Sequence, residues 1–152
     1  MLHGQNGKKC IQMIAVLTLL GLVFFHARSA QQMQKQVLGY MQSGISQETV
    51  TVDNPRVNYV ENPVGTDTDK LFFSWEPQGK QTAYAVRVTQ DEKLIWDSGV
   101  VRSRDTIRVA YQGPELEAET KYEYRIFVFD DENKIHCSEL SYFETACKKG
   151  EV

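Results

Sequence analysis

Cysteine and histidine are scarce, three of each in 152 residues, and beyond residue 30 only Cys137, Cys147 and His136 remain. That set is too small for a metal centre, and no serine or cysteine is spaced with His136 to form a recognisable nucleophilic site. An excess of positive charge is missing too: the formal net charge of −3 leaves no electrostatic footprint for nucleic acid. No glycine motif for cradling phosphate occurs. No apolar run reaches the roughly 20 residues of a comfortable membrane span. No catalytic residue, cofactor-binding residue or metal ligand is therefore expected.

What is present begins with a targeting pattern. Lys8 and Lys9 precede Ile11–Phe25, an uncharged apolar run suited to the h-region of a secretory signal peptide. Ala27-Arg28-Ser29 supplies small residues around a larger one, so cleavage is expected after Ser29 and the product is expected to be secreted or extracytoplasmic. A membrane tether is expected only if the segment stays uncleaved. Cys10 precedes the apolar run, which argues against a lipoprotein anchor. Export permits disulfides, but Cys137 and Cys147 lie ten residues apart in what reads as one strand and its tail. If that segment is extended they are too distant to join, so two free thiols are expected, with Cys137 acting as a small buried hydrophobe.

Residues 30–49 are rich in Gln and Ser. A short helix could use Met33, Val37 and Met41, yet Gly39 and Gly44 weaken it and the apolar stripe is narrow. A flexible linker is the expectation. Residues 50–147 form the expected domain, and residues 148–152 a frayed charged tail.

Within the domain the dominant signal is the two-residue period of half-buried strands. Val57 and Tyr59 suggest an edge strand ended by Asn62-Pro63-Val64-Gly65. Leu71, Phe73 and Trp75 share one face of a second strand, and Tyr84, Val86 and Val88 one face of a third. After a short loop at Asp91-Glu92-Lys93, Leu94-Ile95-Trp96 returns. Thr106–Ala110 offers Ile107 and Val109 to the core. Tyr122, Tyr124, Ile126 and Val128 then make the most regular pattern in the chain, and Ser141–Thr145 a last strand. Leu116 and Thr120, just ahead of Tyr122, have the spacing of a tyrosine corner, in which a ring hydroxyl caps backbone groups at the end of a sandwich. About seven short strands without a convincing helix predict an antiparallel β-sandwich.

Leu71 to Pro77, Tyr84-Ala85-Val86 and the Leu116/Thr120/Tyr122 corner resemble a fibronectin type III, immunoglobulin-like fold, with Trp75, Tyr84, Leu116 and Tyr122 as its structural residues. The ordered blocks ENPVGTDTDKLFFSWE, KQTAYAVRV, LIWDSGVV, YQGPELEAETKYEYRIFVFDD and SYFET further resemble the N-terminal fibronectin-like module of bacterial α-L-rhamnosidases. The resemblance implies a place beside glycoside hydrolases that remove terminal rhamnose with carboxylates held in an (α/α)₆ barrel. No such barrel is expected in this chain. Tyr124, Phe129 and Cys137 stand where that family often has tryptophan.

The carboxylates Asp67, Asp69, Asp91, Glu92, Asp97, Asp130, Asp131 and Glu132 all fall in predicted turns, where backbone bonding accounts for them. Asp67-Thr68-Asp69 and Asp130-Asp131-Glu132 lack the glycine of an EF-hand loop, so no metal is assigned. Alternation sends Phe127 and Phe129 to the outer face, beside Ala83 and Ala85 of the neighbouring strand. There they are either covered by the linker or loops, or exposed as a docking patch for a protein or glycan, with Trp96 joining them or filling the core. The expected function is that of a secreted, non-catalytic accessory, spacer or docking module. An incomplete rhamnosidase and a stand-alone glycan-binding protein are the alternatives.

Overall fold

The computed structural model describes residues 31–39 and 52–147. The predicted signal segment and the tail after Cys147 lie outside the described residues. Among the described residues, eight strands form two antiparallel sheets, and a helix, α1 (residues 31–39), lies outside them. The strands are β1 (Val52–Val57), β2 (Phe72–Pro77), β3 (Ala83–Gln90), β4 (Lys93–Asp97), β5 (Val109–Ala110), β6 (Lys121–Phe129), β7 (Ile135–Cys137) and β8 (Ser141–Glu144). The smaller sheet has the order β1-β2-β5. The larger runs β4-β3-β6, with β7 and β8 sharing the far edge of β6. This is the predicted sandwich, with β8 in the place of the expected last strand and β7 as an additional short strand after the polar turn.

The core between the sheets follows the two-residue period. Tyr84, Val86 and Val88 pair in register with Val128, Ile126 and Tyr124, and all six are buried in one cluster with Phe73 and Trp75 of the opposing sheet and Leu71 just ahead of it. Burying each such side chain is worth about 1.5–3 kcal/mol, so this double row dominates stability. Trp75 Nε1 donates to Gln81 Oε1 at 2.9 Å, which satisfies the one polar atom of a buried indole.

Three local expectations are corrected. The first strand lies upstream of Tyr59: Asn58 and Tyr59 both have positive φ, so the chain reverses there and Val60 pairs back with Val57. Tyr59 is left 53% exposed. Pro55 is accommodated in β1 because that strand is an edge and shifts register between Asp53 and Arg56. Ile107 does not reach the core and is 63% exposed, since Arg108 at φ 58 breaks the alternation and leaves only Val109 pointing inward. Finally, residues 31–39 of the expected linker are helical.

Candidate functional site

The helix α1 is built from good helix formers, with Met33 and Val37 one turn apart on a single face. It covers the outer face of the larger sheet. Met33 (4% exposed) and Val37 (0%) pack with Ala83, Ala85, Phe127, Phe129 and Cys137 in a cluster separate from the main core. Ala83 stands opposite Phe129 and Ala85 opposite Phe127, so two small residues beside two rings leave a groove in which a helix can lie. Gln34 Nε2 donates to Asp97 Oδ2 at 3.1 Å, and the same carboxylate faces Arg87 Nε at 3.2 Å, which ties the helix to β4.

The proposed docking residues are therefore separated. Phe127 and Phe129 face outward as periodicity requires, but both are 0% exposed beneath α1 and form no free patch or sugar platform. Trp96 is not with them. It turns to the sandwich interior, stacking on Phe73 at 6.1 Å and meeting Tyr111 edge to face at 4.9 Å. Gly113 lets the chain pass here, since a Cβ at that position would lie 2.8 Å from Trp96 Cβ.

The tyrosine corner is formed. The Glu117 N–H donates to Tyr122 Oη at 2.9 Å, with Leu116 buried alongside. Thr145, which sequence reasoning passed over, locks the same loop: its hydroxyl accepts from Thr120 N–H at 2.9 Å and donates to the Glu117 carbonyl at 2.6 Å. Beside the corner, Thr66, Asp67, Asp69, Glu115, Glu117 and Cys147 line a cleft of about 270 Å³. Asp67 is partly spent on its own turn, accepting the Asp69 N–H at 3.0 Å. Among the described residues no group of three or more His, Cys, Asp or Glu side chains is arranged to hold a metal ion.

Asp130, Tyr111 and Tyr124 also serve structure. Asp130 accepts from the Glu132 and Lys134 N–H groups and bonds His136 Nε2 at 2.8 Å, and the His136 contact is the largest cause of its carboxyl lying below the usual range. Burial pushes the Tyr111 phenol up to about 12 and raises Tyr124 as well. Neither is poised for proton transfer near neutral pH. Cys137 is buried on β7 and Cys147 exposed after β8, so the two thiols belong to different elements. No helix among the described residues is long and apolar enough to cross a membrane.

Residues 52–149 match the family described as Rha78A-like, N-terminal immunoglobulin domain. An α-L-rhamnosidase of Streptomyces avermitilis is 36% identical over 105 residues, covering 62% of this chain and 10% of the relative. One from Formosa agariphila is 32% identical over 111 residues, covering 64% and 12% respectively. Among solved structures, the α-L-rhamnosidase of Dictyoglumus thermophilum superposes with a TM-score of 0.61 at 27% identity, over 70% of this chain and 13% of that one. The chain thus spans about a tenth of the length of these relatives, and α1 lies ahead of the residues that match the family.

Proposed function

Since the chain belongs to the family of Rha78A-like N-terminal immunoglobulin domains, we propose that it is a non-catalytic accessory module that positions or docks other polypeptide and does not itself cut glycosidic bonds. The observation that carries this reading is the extent of the match: residues 52–149 take in all eight strands. Hydrolysis of a glycoside needs two carboxyl groups flanking the bond inside a pocket that excludes bulk water. Here Asp130 is engaged by its own turn and by His136, and Asp97 by Gly99, Arg87 and Gln34. Incubating the purified chain with an aryl α-L-rhamnoside is expected to release no phenol. Release that scales with protein concentration and survives further purification would sink the proposal.

A second reading, that the module works as the leading part of a rhamnosidase, is favoured by the relatives being some ten times its length. Sequencing the gene downstream decides it: an in-frame catalytic region supports this reading. The exported setting rests on Lys8, Lys9 and the Ile11–Phe25 run. Mass measurement of the mature chain tests it. A terminus at Ala30 is expected, and a mature protein that keeps Met1 and stays in the cytoplasm would exclude export.

A further inference from the structure

The outer face of the smaller sheet carries an inference that rests on the docking role proposed above and gives the partner a chemistry. We propose that the site framed by Arg56, Ser74, Ile107 and Arg108 binds an extended acidic segment of another polypeptide, with carboxylates two residues apart. Alternation turns Phe72, Ser74 and Glu76 of β2 outward, away from the buried Phe73 and Trp75. Regular pairing would set Pro55 opposite Ser74, but the register shift in β1 between Asp53 and Arg56 brings Arg56 there instead. Across β2 from Arg56, Thr106 bonds the Trp75 N–H through its carbonyl, and Ile107 follows it into solvent. Arg56, Ser74, Glu76, Thr106 and Ile107 thus line a depression of about 400 Å³.

Two features of this face call for a carboxylate. Ser74 is 8% exposed and lines the depression, yet its hydroxyl has no hydrogen-bond partner among the described residues, which leaves a donor for a ligand to satisfy. No carboxylate among the described residues pairs with Arg56 or Arg108, and Glu76 lines the same depression without reaching Arg56. Arg108 is instead held over the Phe72 ring, its guanidinium carbon 5.5 Å from the centroid, while Tyr59 meets the same ring edge to face at 4.8 Å. Stacking fixes the guanidinium and leaves its N–H fork free for a carboxylate. Tyr59 and Arg108 both reach the ring from backbone at positive φ, an unfavourable conformation that persists only where the surroundings hold it. Phe72 is engaged by both and is no free platform for a sugar ring. Ser74 and Phe72 are two residues apart on β2, roughly 7 Å, which is also the spacing of alternate side chains in an extended peptide. One partner carboxylate is received by Arg56 and the Ser74 hydroxyl, the next by Arg108, and Ile107 supplies an apolar wall beside them.

Titrating the isotope-labelled full chain with the peptide acetyl-Glu-Leu-Glu-amide, followed by NMR, tests the site. The amide shifts of Phe72, Ser74 and Ile107 should move and saturate at about 20 mM or below, and the neutral twin acetyl-Gln-Leu-Gln-amide should move them little. Arg56→Gln, Arg108→Gln and Ser74→Ala, each measured at a temperature where the variant is folded, should weaken the acidic peptide roughly threefold or more. Arg125→Gln, on the larger sheet, should leave its affinity unchanged. Shifts at these amides that do not saturate, equal binding of the neutral peptide, unchanged affinity in the first three variants or an equal loss in Arg125→Gln would each overturn the proposal. Glucuronate saturating the same amides at lower concentration than the peptide would assign the site to an acidic glycan and overturn it likewise. None of these outcomes bears on rhamnoside turnover, so the acidic-peptide site and the non-catalytic role fail separately.

Discussion

Ser98 and Ser138 sit on opposite sides of the β3–β6 pair and perform the same substitution on each. The Val86 N–H donates to Ser98 Oγ at 2.8 Å and the Ile126 N–H to Ser138 Oγ at 3.0 Å, while each serine's own N–H returns to the carbonyl of the residue it serves. Val86 and Ile126 are register partners, so the two serines flank a single row of the larger sheet. Each hydroxyl in turn donates a hydrogen bond to the next residue's carbonyl, Gly99 or Glu139, at 2.8 Å. The outer strands can thus leave the sheet without orphaning a central amide. Replacing either serine by alanine strands a donor and should cost about 1–3 kcal/mol. Because the serines stand three strand spacings apart, roughly 14 Å, urea denaturation of the double variant should give the sum of the single losses. A double variant no worse than one single would show that the two ends are coupled.

At the corner, Tyr122→Phe removes the hydroxyl that accepts the Glu117 N–H and should lower stability by about 1–2 kcal/mol in chemical denaturation. Thr145→Val should cost at least as much, since one hydroxyl there serves both Thr120 and Glu117. A Tyr122→Phe midpoint equal to that of the parent would mean the corner bond contributes nothing net.

The strands that were legible in the sequence are those whose neighbours obey the same rule they do. In β2, β3 and β6 every second residue is apolar and finds the opposing sheet, so Phe73, Tyr84 and Ile126 are where period two puts them. Legibility failed where a positive φ resets the alternation, at Tyr59 and Arg108, because neither residue type announces that backbone. It also failed at α1. Met33 and Val37 carry the i, i+4 signal, but whether so narrow a stripe folds depends on Ala83, Ala85, Phe127 and Phe129, distant in sequence. The same four residues decide whether the outward rings are a free surface, which is a tertiary fact that no local period contains.

Asp130 sets a pH dependence whose sign follows from its contacts. Its folded-state pKa lies below the ordinary 3.8, chiefly through the His136 bond, so the stabilisation is fully present above that value and is lost as pH falls through the lower folded-state value. The difference in melting temperature between the parent and Asp130→Ala should be steady down to about pH 5 and narrow below the unfolded-state value. A gap that stays constant to the acid end of the transition would show that the carboxylate's charge is not what its neighbours stabilise.

Two hairpin turns offer a comparison in which one effect can be isolated from another. Asn58-Tyr59 and Asp91-Glu92 both have positive φ at each central residue, the type I′ geometry that favours glycine at the second position. A non-glycine residue held there costs about 1–2 kcal/mol. Glu92 is exposed on the short β3–β4 turn, so Glu92→Gly should raise stability, by about 0.5–1 kcal/mol once the extra freedom of glycine in the unfolded chain is offset. Tyr59 differs because its ring meets Phe72 edge to face at 4.8 Å, an arrangement worth about 0.5–1.5 kcal/mol beyond its area. Tyr59→Gly relieves the same backbone and forfeits that contact, so its net change should be zero or a loss. Urea midpoints of the two variants measure the contrast. Equal gains would mean that the Tyr59 ring contributes nothing, and a loss at Glu92 would mean that the backbone there is not strained.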